Sequence, residues 1–271
     1  MAKKILNLPS ISRVVAGAVA ILELPINPTY QFIRFGATGA GLTAAMIKLI
    51  RVIVDGRVIQ EYKDLTRLID LNAYHNRSAD TVNDFCLWFR DDDYDELAAK
   101  RTPAFGTDGL QTVNVEITLD ATFPANGTLI AHALIDTKRE TLGLFTRIRE
   151  TSINSIAAGQ IDFDKLVRNG AVYKAIHLFK ADISSITLEA DGNKIIEATK
   201  AVLERVQKSV RPVARIPVTL KATHIDFCLE GDEGDLLNTE GMNDLRIRMT
   251  LDTAGVVEIS TEQLDVWVSS N

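Results

Sequence analysis

Residues 10–21 read SISRVVAGAVAI, and residues 152–163 read SINSIAAGQIDF. Laid over one another, Ser10 falls on Ser152, Ile11 on Ile153, Val14 on Ile156, Ala16 on Ala158 and Gly17 on Gly159, a constant step of 142. Past the glycine the apolar positions still coincide, with Val19 over Ile161, Ile21 over Phe163 and Leu24 over Leu166, while the residues between them differ. What recurs is a burial pattern, and a repeat of this kind decides how every later element is assigned. Further anchors follow in the same order in both halves: YQFI at 30–33 with YKAI at 173–176, VDGRVIQE at 54–61 with ADGNKIIE at 190–197, DFCL at 84–87 with DFCL at 226–229, and ITLD at 117–120 with MTLD at 249–252. Their steps of 143, 136, 142 and 132 drift as loop insertions would make them drift. The chain reads as two copies of one unit joined within residues 136–150, with domains at 1–143 and 144–271.

A length of 271 residues accommodates two such units, each within the roughly 50–200 residues of a domain that buries its own core. The composition, 46% hydrophobic and 24% charged, is that of an ordinary globular chain. A net charge of −6 supplies no global attraction for nucleic acid, and no local basic stripe is visible. The apolar run VVAGAVAILEL at 14–24 is about half a bilayer span and carries Glu23, so it is not a transmembrane helix. Pro9 and Arg13 argue against a secretory leader, and a mature N-terminus is expected. Cys86 and Cys228 fall on one another in the repeat, so each is expected in its own domain as a reduced structural thiol, out of reach of the other.

Most periodic segments alternate with period two. Val113, Val115, Ile117 and Leu119 share one face against Asn114, Glu116 and Thr118, and Leu245, Ile247, Met249 and Leu251 share one against Arg246, Arg248 and Thr250. That is the signature of half-buried antiparallel strands. Asp55-Gly56 and Asp191-Gly192 each sit between two strands and carry the chemistry of a type I′ hairpin turn. One helix follows each hairpin, the first with Asp64 as N-cap and a stripe of Leu65, Leu68 and Ile69, the second with a stripe of Val202, Leu203 and Val206. YDELAAK at 94–100 offers a further helix, and residues 36–79 outside hairpin and helix read as surface loops. The fold class is therefore all-β: two tandem jelly-roll β-barrels, each with a short helix.

No catalytic constellation emerges. A bicupin metal centre needs histidines that converge on one ion. His75, His132, His177 and His224 are isolated in sequence, and His132, between two alanines on a strand, reads as a packed, satisfied histidine. No nucleophile elbow, phosphate loop or dinucleotide fingerprint is present, and GATGAGLTAA at 36–45 lacks the lysine a phosphate cradle requires. Two acidic clusters follow the DFCL anchors, RDDDYDE at 90–96 and EGDEGD at 230–235. Both read first as solvated loops. Should one hold a structural Ca²⁺, which takes about six to eight oxygen ligands, Asp232 and Asp235 are the first candidates; no cofactor is otherwise required.

Five segments, ILNLPSI at 5–11, VDGRVIQEYKDLTRLI at 54–69, IDFCLEGDEGDLL at 225–237, DLRIRMTLD at 244–252 and VWVSSN at 266–271, resemble the corticovirus major capsid protein family in order along nearly the whole chain. The likeness is weakest in residues 77–110 and 136–170. It implies a double jelly-roll capsid protein of an icosahedral bacterial virus with an internal membrane, assembled in the host cytoplasm into the capsid shell of the virion. It further implies homotrimers whose six barrels make a pseudo-hexameric tile, neighbouring trimers, vertex or spike proteins and membrane-associated viral proteins as partners, no direct nucleic-acid contact, and a shell associated with calcium. It implies no calcium ligand by residue.

Two other readings compete. A trimeric DNA sliding clamp is also acidic and internally duplicated, but its ring needs two helices per domain around a basic hole, and each half here offers one clear helix. A duplicated carbohydrate-binding module would show exposed aromatics, and the chain is 6% aromatic with only Trp88 and Trp267.

Overall fold

The computed structural model describes residues 3–136, 139–168, 170–209, 214–218 and 221–268. The chain forms two compact units, Met1–Arg149 with Val266–Asn271, and Glu150–Asp265. Unit 1 holds β1 (Lys3–Asn7), β2 (Val19–Glu23), β3 (Thr29–Thr38), β4 (Ile47–Val54), β5 (Arg57–Asp64), α1 (Leu65–Tyr74), β6 (Asp84–Trp88), α2 (Leu97–Arg101), β7 (Phe105–Gly106), β8 (Val113–Leu119), β9 (Thr128–Asp136) and the start of β10 (Leu144–Ser155). Unit 2 continues with β11 (Gly159–Phe163), β12 (Val172–Phe179), β13 (Ile183–Ala190), β14 (Asn193–Thr199), α3 (Lys200–Ser209), β15 (Thr223–Asp226), β16 (Leu237–Asn238), β17 (Leu245–Leu251) and β18 (Gly255–Val266).

Strand order is the same in both units. In unit 1 one sheet runs β2-β8-β4-β5 and the other β1-β9-β3-β6, with β7 added to β3. In unit 2 the orders are β11-β17-β13-β14 and β10-β18-β12-β15, with β16 added to β12. The irregularities match as well. The pairing of β3 with β9 slips at Gln31, between Tyr30 and Phe32, and that of β12 with β18 slips at Lys174, between Tyr173 and Ala175. β5 carries one extra residue, Ile59, opposite β4, and β14 carries Ile195 opposite β13. Bulges bend and twist a strand at a fixed place, so two sheets that share them share their curvature.

The alternation read from the sequence sets the inward faces. Val113, Val115, Ile117 and Leu119 of β8 are buried, as are Leu245, Ile247, Met249 and Leu251 of β17. Around β17 the core of unit 2 gathers Phe163, Tyr173, Ile176, Ile186, Leu188 and Ile259. In α1, Asp64 caps the helix by accepting from Arg67 N–H at 2.8 Å, and the helix buries Leu65, Leu68 and Leu71. α3 behaves differently from the expectation. Its stripe of Val202 and Val206 lies on the exposed side, and Gln207 is the helix residue that is buried.

Registers correct two further sequence expectations. Ala20 pairs with Ile117 and Leu22 with Val115, while Ile161 pairs with Met249 and Phe163 with Ile247. Leu22, not Ile21, is thus the partner of Phe163 across the repeat; the opening match was one residue out, and one residue reverses a strand's faces. The identical DFCL segments are not equivalent either. Phe89 N–H donates to Gln31 O and Phe227 N–H to Lys174 O, which aligns Phe89 with Phe227 and Cys86 with His224. Cys86 and Cys228 therefore occupy different places, Cys86 within β6 and Cys228 past the end of β15, both free and buried. Outside the registers, residues 36–46, expected as loop, hold the end of β3 and a 3-10 turn at Ala44–Met46, while β4 is the first strand of the expected hairpin. Leu6 and VVAGAVAILEL supply strand and loop, and among the described residues no helix is long and apolar enough to cross a membrane.

Candidate functional site

The two hairpin turns are built alike down to single atoms. Asp55 and Gly56 have φ of 46° and 79°, and Asp191 and Gly192 have φ of 48° and 80°. Positive φ at both central residues defines a type I′ turn, which Asp-Gly adopts at least cost. Each aspartate has a second task that periodicity could not reveal. Asp55 Oδ1 accepts from Gln111 N–H and Thr112 N–H at 2.9 and 2.8 Å, fixing the approach to β8. Asp191 Oδ1 accepts from Asn243 N–H and Asp244 N–H at 2.9 and 2.8 Å, fixing the approach to β17.

Other devices are duplicated. Tyr30 Oη donates to Pro25 O at 2.7 Å, and Tyr173 Oη donates to Val167 O at 2.8 Å. Thr107 Oγ1 donates to Pro28 O at 2.6 Å, and Thr239 Oγ1 donates to Ala171 O at 2.8 Å. From the helices, Asn72 Nδ2 donates to Cys86 O and Gln207 Nε2 to His224 O, each at 2.8 Å. A buried polar side chain that ties a loop or helix to one backbone carbonyl fixes a unique arrangement, because leaving either group unpaired costs about 1–3 kcal/mol.

The first acidic cluster is not a solvated loop. Asp91 and Asp93 are buried, with Arg77 Nη2 3.2 Å from Asp91 Oδ1 and 3.4 Å from Asp93 Oδ2. His75 Nδ1 lies 2.7 Å from Asp93 Oδ2, and Asp91 Oδ1 accepts Asp93 N–H at 3.1 Å. Burial forces pairing of these charges, so the cluster is an internal clamp between the end of α1 and the segment after β6. The second cluster is exposed: Asp232 caps a 3-10 turn at Glu233–Asp235, its Oδ1 accepting from Gly234 N–H at 2.8 Å, and Asp235 closes that turn.

Two histidines that are isolated in sequence meet across strands. His177 of β12 and His224 of β15 are register partners, buried, with their Nδ1 atoms 2.7 Å apart. His224 Nε2 accepts from Val218 N–H at 3.2 Å, so its proton sits on Nδ1 and is donated to His177 Nδ1. His177 then carries its proton on Nε2, 3.3 Å from Glu262 Oε1, and Lys174 Nζ lies 3.7 Å from Glu262 Oε2. The 2.7 Å between the two Nδ1 atoms is a hydrogen-bond distance, shorter than the about 3.3 Å between two imidazole nitrogens on one tetrahedral zinc. Nearby, Arg215 Nε donates to Asp226 Oδ2 at 2.7 Å, and Asp226 Oδ1 accepts Cys228 N–H at 2.8 Å. His132 is exposed rather than packed, with Nδ1 2.9 Å from Asn7 Oδ1.

These are internal struts, and among the described residues they assemble no nucleophile, base and substrate cleft. Two jelly rolls of one strand order in a single chain define the double jelly-roll viral capsid proteins. The families described as the viral coat protein P2 N-terminal domain and C-terminal domain match residues 5–138 and 145–267. The chain belongs to the viral coat protein P2 family, the major capsid proteins of PM2-like corticoviruses, a structural and non-enzymatic role in the capsid shell of the virion. It is 29% identical over 277 residues to the major capsid protein P2 of Pseudoalteromonas phage PM2, covering 98% of each chain. The crystal structure of that protein superposes with a TM-score of 0.88 at 28% identity over 100% of both chains. The STIV MCP gives a TM-score of 0.73 at 11% identity over 97% of both chains, a likeness of fold alone. Membership sets aside the sliding clamp.

Proposed function

We propose that this coat protein works as a homotrimer whose six jelly rolls form a pseudo-hexagonal tile in the icosahedral shell of a bacterial virus with an internal membrane. The observation that carries the reading is the identity of strand order and bulge positions in the two units. Three chains then set six like shapes around a threefold axis, which pack as a hexagonal net. Neighbouring trimers, vertex or spike proteins and membrane-associated viral proteins are its partners, and nucleic acid is not. Light scattering of the purified protein tests the trimer: the mass of three 29.8 kDa chains is expected, and a monomer at assembly concentrations refutes it. Negative-stain images should show closed hexagonal outlines.

A structural calcium at Asp232 and Asp235 belongs to the same proposal. In its favour are two exposed carboxylates on one turn; against it, Asp232 Oδ1 is already engaged by Gly234 N–H. Calorimetric titration of assembled protein with CaCl₂ tests it: heat that disappears in Asp235→Asn supports the site, and no heat in the wild type removes it.

A further inference from the structure

β5 and β14 hold the same place in the two units, yet their outer edges differ. β5 is bordered by β4 on one side and on the other by β10, which runs parallel to it with Ile148 opposite Gln60. Gln60 Nε2 donates to Thr146 O at 3.2 Å and Arg147 Nη1 to Val58 O at 3.1 Å. β14 has β13 on one side and, among the described residues, no strand on the other. The side chains follow suit. Ile59 of the β5 bulge is 1% exposed, and Ile195 at the same place in β14 is 42% exposed. With Asn72 aligned on Gln207, Leu71 of α1 is 2% exposed and Val206 of α3 is 44% exposed. An unpaired strand edge beside bare aliphatic side chains is a template for strand addition.

The strand that covers β5 is the one leading into the first sheet strand of unit 2. Its counterpart leading into unit 1 is β1, since β10 neighbours β18 as β1 neighbours β9. β1 pairs with β9 along one edge, its other edge carries no strand among the described residues, and Ile5 is 74% exposed. We propose that β1 of one copy adds in parallel to the outer edge of β14 of a second copy, as β10 adds to β5 within the chain. This rests on the trimer reading, and it specifies the contact: unlike surfaces meet head to tail, the kind of interface a closed ring of three uses.

Cysteine pairs in the full chain test it, with Ile196→Cys combined in turn with Ile5→Cys, Leu6→Cys or Asn7→Cys. Paired strands lie about 4.8 Å apart, within disulfide reach, and the native thiols of Cys86 and Cys228 are buried. Oxidising the assembled protein is expected to convert the monomer band of one pair into a covalent trimer on a non-reducing gel, with no such band for any single cysteine. Independently, Ile195→Lys, an exposed position, should shift the trimer to monomer in light scattering while the circular dichroism stays unchanged. A wild-type trimer in which all three pairs stay monomeric on the gel, or in which Ile195→Lys still gives a trimer, overturns the β1–β14 contact and leaves the trimer reading standing. A wild-type protein that is monomeric throughout overturns the trimer reading and the contact with it.

Discussion

Replacing Asp55 by alanine isolates the double duty of the hairpin aspartate. Its carboxylate accepts two backbone N–H groups, and its own φ of 46° is in the left-handed region. A buried hydrogen bond to a charged acceptor is worth about 1.5–3 kcal/mol, but these amides lie at an exposed turn and regain water, so about 1 kcal/mol for the pair is the reasonable figure. Holding alanine at positive φ adds about 1 kcal/mol. Asp55→Ala is therefore expected to cost about 2 kcal/mol, a drop of roughly 4–8 °C in Tm for a domain of this size. Asn keeps the Oδ1 acceptor and tolerates positive φ, so Asp55→Asn should cost less than about 1 kcal/mol.

Because Asp191 makes the same pair of bonds at φ 48°, Asp191→Ala and Asp191→Asn should reproduce both values in unit 2. Urea and heat melts of the four variants at neutral pH measure this. An alanine variant within about 0.5 kcal/mol of wild type in either unit, or an asparagine as costly as alanine, would refute the assigned roles, since the charge would then matter and the turn would not.

Gly106→Ala should fail to fold or lose about 2 kcal/mol or more, because a Cβ there would lie 2.4 Å from Glu140 O; Gly143→Ala, with nothing within 4 Å, should be neutral in the same melts. Burial pushes the Cys86 thiol up to about 12, with Asp80 adding to the shift, so native protein at pH 8 should leave Ellman's reagent uncoloured and release two thiols on unfolding. The hydrogen bond from Arg34 holds the Asp84 carboxyl below its ordinary value. The folded value lies below the unfolded one, so the contribution is complete above the ordinary carboxylate range and fades as pH falls through the lowered value. Both partners are about half exposed, which limits the contribution to less than about 1 kcal/mol, and Asp84→Asn should flatten the acid limb of a stability-against-pH curve by that amount.

What the sequence revealed was what local chemistry encodes. Alternation in 113–119 and 245–251 gave the inward faces, and Asp-Gly gave the turns, because both depend on neighbours along the chain. What it concealed was pairing. DFCL recurs letter for letter, yet the hydrogen bonds of Phe89 and Phe227 place the copies four residues apart, since strand position is set by the partner across the sheet. His177 and His224 are 47 residues apart and meet only because β12 and β15 are neighbours. Asp91 and Asp93 looked solvated because a run of acids gives no sign of the arginine and histidine that the end of α1 brings to it. The tyrosines that open YQFI and YKAI did carry a signal, two aromatic hydroxyls at one place in a repeat, each needing a partner when buried.

The positions that differ between the units are as informative as those that match. Interior struts recur with the same geometry: Tyr30 and Tyr173, Thr107 and Thr239, Asn72 and Gln207. The outer edge does not recur, since Gln60 is covered by β10 while, among the described residues, β14 is left open. A ring of six identical single jelly rolls would have to use one edge for every junction, and any change to that edge would act six times. In the trimer proposed above, two units in tandem leave three junctions to be made between chains. Such a junction lacks the effective concentration of a covalent link and must carry its own affinity. Exposed aliphatic side chains at Ile195 and Val206, where unit 1 has buried ones, suit that demand.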